Sequence, residues 1–259
     1  VTTIDASALL AAAPVDAVVF IAMFSRLGAM MMTAPSFGDL TISPQIRLAL
    51  ALAASLALAP AAVPHYDGVN LRGPTLAAVL FGELAVGAFI GISARAVAAA
   101  MATAGQIASF QMGLSLAQIF DPNQHVQSAL VGGFLSILGV TLIFATDLHH
   151  SLVAAVMGSY GAFAPGAPLD AGSLAESIIA ASGEGFALGV RLAAPFIAFG
   201  LVFYAGAGVL NRLMPQAQAF FTLMPANVIL GLAVLMLSTG AIAGAFLDGF
   251  ADHLARMTP

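Results

Sequence analysis

Hydrophobic positions along the chain are grouped into long runs without charge. They cover residues 6–24, 27–38, 48–64, 74–94 (interrupted by Glu83), 96–120, 126–146, 148–164, 185–210 (interrupted by Arg191) and 227–247. Several reach the ~20 residues a helix needs to cross a bilayer, whereas the first two and the 148–164 run are short. The polar breaks punctuate these runs as turns. Pro35, Pro44, Pro60 and Pro64 bracket a first hairpin. "YDGVNLRGP" (66–74), "DPNQ" (121–124) and "APGAPLDAGS" (164–173) read as turns or linkers, and 211–227 as a long connection with prolines towards both ends. The pattern predicts an all-α, multipass membrane-type protein built from helical hairpins.

One run does not fit an ordinary spanning helix. From Ala96 to Phe120 there is no charge, yet Gln106, Gln111 and Gln118 each bring an amide that hydrocarbon cannot satisfy. Gly105 and Gly113 flank the "SFQM" stretch and weaken a helix on both sides of Phe110. Two readings stand: a kinked helix whose glutamines bond between helices, or a segment that breaks to form a loop.

Glycine pairs at four-residue spacing (Gly87/Gly91, Gly185/Gly189 and Gly240/Gly244) allow close helix crossings, within the chain or with partners. Arginines interrupt apolar stretches at Arg26, Arg95 and Arg191, as helix-end or snorkelling residues or as partners of a counter-ion. Glu184 precedes Arg191 by two helical turns, which makes them a candidate intramembrane ion pair. The run of three methionines at 30–32 turns successive side chains to different sides of a helix, so core packing is expected of one or two of them.

Composition sharpens the class. The 259 residues are 61% hydrophobic and 7% charged, against about a quarter charged in soluble domains, with a mean hydropathy of +1.02. All seven basic residues are arginine, too few to set an orientation by loop charge. Without cysteine there is no disulfide framework or thiolate metal site. The thin net charge of −5 offers no basic face for nucleic acid. No positively charged n-region opens the sequence, so a cleaved signal peptide is not expected. "DLHH" groups Asp147, His149 and His150, but adjacent histidines on a helix point about 100° apart, which favours an interfacial polar cap over a metal site. "GISA" (91–94) resembles the Gly-x-Ser of intramembrane serine proteases, which need a paired histidine on another helix, but the Gly87/Gly91 spacing accounts for Gly91 as a packing residue. The motifs therefore predict no enzyme, no cofactor and no metal.

Three blocks then carry a resemblance. "RLGAMMMTAPSFGDLTISPQIRLALALAASLALAP" (26–60), "AGQIASFQMGLSLAQIFDP" (104–122) and "RLAAPFIAFGLVFYAGAGVLNRLMPQAQAFFTLMP" (191–225) resemble, in order, the N-terminal signature, central loop and C-terminal helix and loop of the FliR family of type III export-gate proteins. The "NRLMPQAQAFF" wording is closest to the flagellar branch. This resemblance implies a bacterial inner-membrane subunit of the flagellar basal body. It implies assembly with FliP-like and FliQ-like subunits and work beside FlhB-like and FlhA-like export components, in contact with lipid and with unfolded protein substrates in transit. It also implies a division of the chain into a FliP-like part over 1–165 and a FliQ-like helical hairpin over 174–259.

By the same resemblance, a central loop at about 105–113 projects into the channel and plugs it. Phe110 and Met112 would supply apolar bulk, Gln106 and Gln111 would satisfy loop backbone, and Gly105 and Gly113 would allow movement. The alternatives are a small-solute transporter, the virulence (injectisome) counterpart of the same subunit, and an assembly scaffold without pore-lining residues. A transporter should show inverted repeats and a midplane ionisable site. Here the broken element occurs once, flanked by Arg95 and Asp121.

Overall fold

The computed structural model describes residues 15–35, 37, 43–114, 130–213 and 219–257. Among these residues the protein is all-α. Its helices are α1 (Val15–Thr33), α2 (Pro44–Ala62), α3 (Gly73–Ala98), α4 (Ala100–Gln111), α5 (Leu130–Ala145), α6 (Leu148–Ala162), α7 (Ala171–Leu192), α8 (Ala194–Leu213) and α9 (Ala219–Met257), with one 3-10 turn at Val63–Tyr66. Pro44 opens α2 at a position where no backbone donor is lost. Pro60 is accommodated in its last turn. The "DPNQ" turn and Gln118 lie outside the described residues.

The chain packs as two units interleaved in sequence. One comprises the described residues within 1–96, 147–181 and 252–259. In it α1 and α2 pack together as the expected hairpin. Val19, Met23, Leu27 and Met30, at helical spacing, form a fully buried face of α1. Of the three methionines, Met30 and Met31 are buried and Met32 is exposed, as the angular argument required. Gly87 and Gly91 seat α3 against α1: a Cβ on Gly91 would lie 2.7 Å from the Met30 carbonyl oxygen, and one on Gly87 2.8 Å from the Arg26 carbonyl carbon. That glycine pair serves an internal crossing.

The second unit comprises the described residues within 97–146 and 182–251. Here α4 packs on α5 through Gly105 and Gly132, which meet backbone to backbone. Gly189 of α7 faces the Ala100 carbonyl of α4, and the buried rings of Phe196, Phe246 and Phe250 fill the remaining interior. A Cβ added to Gly240 or Gly244 would meet nothing within 4 Å among the described residues.

Four helical stretches among the described residues are long and apolar enough to cross a membrane: 44–66, 73–111, 194–213 and 223–257, or five with the α5–α6 pair counted as one broken span. Only 11% of the most apolar window in each of the last two is buried by the chain itself, so lipid or other helices must cover the rest. The sequence placed a long connection over 211–227; the structure instead begins α9 at Ala219 and carries it through Pro225. A proline costs one ladder bond, but leaving helix in apolar surroundings would strand many backbone groups.

Candidate functional site

The 105–113 segment is helical as far as Gln111 and leaves helix only at Met112–Leu114. This corrects the expectation of a loop beginning at Gly105. Gly105 does not loosen the segment: a Cβ there would come within 2.7 Å of the Gly132 backbone nitrogen, so this glycine serves a backbone-to-backbone crossing of α4 and α5. Ser109 returns its hydroxyl to the Gly105 carbonyl (2.8 Å), which keeps that side chain from needing a partner elsewhere.

The break is built by a specific helix ending. The Gly113 N–H donates to the Phe110 carbonyl (3.1 Å) and the Leu114 N–H to the Ser109 carbonyl (3.0 Å), while Gly113 adopts φ +75°. This is the Schellman pattern, in which a left-handed residue after the cap closes two orphan carbonyls. Only glycine reaches that conformation without cost. A Cβ there would also sit 3.0 Å from the Asn227 Nδ2. Replacing Gly113 by valine is expected to cost about 1–2 kcal/mol through the left-handed backbone alone. Asparagine should be milder, because its short polar side chain tolerates that region. Thermal midpoints of the two variants, purified with their partners, check this.

The segment's side chains separate sharply. Phe110 is 73% exposed at the end of α4, whereas Met112 is fully buried. Gln106 is exposed, with its amide near Gly132, and Gln111 is half-buried. Gln111 lies against Gly200 of α8 and Met112 against Gly231 of α9, and a Cβ on either glycine would overlap the incoming side chain. The Gln111 carbonyl accepts from Asn227 Nδ2 (3.3 Å) and from the Tyr204 hydroxyl (3.4 Å). Positions on α8 and α9, far along the sequence, thus fix where the helix stops.

In the first unit the structure brings together a polar cluster the sequence did not pair. Arg26 and Glu83 are each 1% exposed and form a bidentate ion pair, Nε to Oε2 and Nη2 to Oε1 (3.0 Å). The guanidinium also donates to Ser159 Oγ (2.9 Å) and the Phe163 carbonyl (3.0 Å), and its Cζ lies 3.8 Å above the Tyr160 ring. Tyr160 and Tyr66 hydroxyls meet at 3.1 Å. The available signal was that Arg26 and Glu83 each interrupt apolar sequence; their pairing across α1 and α3 needed the fold. Arg95, by contrast, is exposed in the last turn of α3 and reaches the Ala34 carbonyl (3.4 Å).

Arg191 is exposed in the last turn of α7, and Glu184 is half-buried two turns earlier on that helix. Asp147, the one non-glycine residue with positive φ among the described residues, precedes α6 and lies 3.5 Å from His150 Nδ1. The ligand atoms of Asp147, His149 and His150 fall within 4.8 Å of one another, closer than their helical spacing suggested, because the left-handed turn at Asp147 swings its carboxylate back over the first turn of α6. Asp147 and His150 are largely open to solvent.

These features define a multipass helical membrane protein whose distinctive site is a glycine-closed helix end seated against α8 and α9. The chain belongs to the FliR family of flagellar export-gate membrane proteins, and the family profile described as "Bacterial export proteins, family 1" matches residues 17–253. It is 41% identical over 239 residues to the flagellar biosynthetic protein FliR of Caulobacter vibrioides, covering 91% of this chain and 94% of that protein. It is 29% identical over 238 residues to the same-named protein of Aquifex aeolicus (88% of each). With that of Pectobacterium carotovorum it shares 28% over 236 residues (89% and 86%). Its function is therefore that of a membrane component of the flagellar type III export gate, acting with other components of the export apparatus, and it is not an enzyme.

Proposed function

We propose that this chain forms part of a protein-conducting channel together with FliP-like and FliQ-like subunits, beside FlhB-like and FlhA-like components, and that the end of α4 seals it. The observation that carries the reading is Phe110: a large apolar ring, 73% exposed, held at the tip of a helix that is otherwise packed into its unit. An unfolded substrate has no fixed side-chain pattern, so a compliant apolar obstruction suits it better than a precise binding site, and an apolar constriction excludes water and ions by dewetting. Met112, buried in the isolated chain, would join the seal only after the break at Gly113 opens.

We further propose that residues 1–165 are FliP-like and residues 174–259 a FliQ-like helical hairpin. Glu184 and Arg191 remain a candidate ion pair along one face of α7.

Phe110→Ala is expected to raise passage of small solutes across inner-membrane vesicles while the chain still copurifies with its partners. The stability change should be within about 0.5 kcal/mol, as for other exposed positions, against ~3–5 kcal/mol for a buried phenylalanine. Unchanged permeability with an intact complex would remove Phe110 from the seal.

A further inference from the structure

We propose that Asn227 is a positioning residue for the gate segment: its amide latches the end of α4 against α8 and α9, and its loss releases Met112 from the unit. The latch geometry stands on the structure, while its consequence for export rests on the sealing role proposed above.

Asn227 is 3% exposed on α9, and its Nδ2 donates to the Gln111 carbonyl (3.3 Å) and the Tyr204 hydroxyl (3.4 Å). The orientation of the amide follows from its partner. A backbone carbonyl only accepts, so the nitrogen must face Gln111. Its Oδ1 is then buried with no hydrogen-bonding partner among the described residues. A buried orphan acceptor is a standing cost, and a leucine of similar size would avoid it. What the asparagine supplies in return is the bond to Gln111, the last residue of α4.

That bond closes a seat shaped for the two residues at the break. Gly200 on α8 receives the Gln111 side chain and Gly231 on α9 receives Met112; a Cβ on Gly200 would come 2.7 Å from Gln111 Cδ, and one on Gly231 3.1 Å from Met112 Cβ. Tyr204 adds a second donor to the same carbonyl from α8. Two helices thus present one notch and one donor each to two consecutive residues. Among the described residues one pair of polar bonds ties a Gly-closed turn that has little helix propensity of its own, so the seat can be left without unfolding either helix.

The absence of cysteine allows a direct test. Met112→Cys and, as a control, Met101→Cys, which is equally buried on α4, are each combined with native Asn227 or with Asn227→Leu. The assembled complex in membrane vesicles is labelled with a water-soluble maleimide. Loss of the latch should speed labelling at position 112 about tenfold, equivalent to ~1.4 kcal/mol, and leave position 101 unchanged. Tyr204→Phe, a milder change at the rim of the same seat, should give a smaller increase in the same direction. Unchanged labelling at 112 in both variants, or an equal rise at 101, would overturn the latch. Solute flux is read on the same vesicles: faster labelling at 112 without extra flux would leave the latch standing and count against the sealing role.

Discussion

Glu83→Ala is expected to prevent the chain from accumulating in membranes. Arg26 is 1% exposed, and the carboxylate is its only charged partner among the described residues. Removing it leaves a guanidinium buried beside Ser159 and the Phe163 carbonyl, which can bond to it but cannot neutralise it. Breaking a buried pair from one side costs roughly 3–5 kcal/mol, a large part of the stability of a whole domain. Arg26→Ala should be comparably damaging, since it strands the carboxylate. The double variant Arg26→Met/Glu83→Leu should recover much of the loss, because apolar residues of similar volume remove both desolvation costs together. Membrane-bound levels and thermal midpoints of the three variants check this. Equal losses in the single and double variants would show that the packing of these side chains, and not their charges, sets the cost.

Gly105→Val is expected to be the most damaging single change in the second unit. A Cβ at this position collides with the backbone of Gly132 and with the Val131 carbonyl, atoms that cannot rotate away. The helices would have to separate, at a cost of at least the ~1–3 kcal/mol typical of overpacking a close-packed interior. Even alanine should be destabilising here. Gly133 is the internal control: nothing among the described residues lies within 4 Å of its added Cβ, so Gly133→Ala should be neutral or stabilise α5 by up to about 1 kcal/mol through helix propensity. Thermal unfolding of the purified assembly separates the two substitutions. A similar midpoint for both would mean that α4 and α5 do not pass as closely in the assembled complex.

The 104–122 block illustrates where sequence reasoning reached and where it stopped. Its uncharged length, its glutamines and its two glycines marked it as unusual, and the resemblance to the FliR family placed a gate segment there. The glycines, however, were given one role when they have two. Gly105 is a packing residue, while Gly113 is a conformational one with φ +75°. Both readings follow from the missing side chain, and sequence alone does not say whether a neighbour or a dihedral requires it. Likewise Phe110 and Met112, two residues apart, are equivalent apolar bulk as far as the sequence goes. The helix ending between them turns one out and the other in against Gly231 of α9.

What the sequence determined by itself was the class of molecule. Charge-free runs of spanning length force helices, because no other open structure satisfies the backbone in hydrocarbon, and this logic needs no knowledge of neighbours. The order of three motif blocks fixed the family for the same reason: it is a property of the chain. The tertiary structure alone decided which polar groups meet. Arg26 and Glu83 are 57 residues apart, and Asn227 is 116 residues from the carbonyl it holds. Each of these residues is unfavourable on its own run and becomes stable only through a partner on another helix. Local periodicity carries no record of such partners, since burial is enforced residue by residue but pairing is enforced only in space.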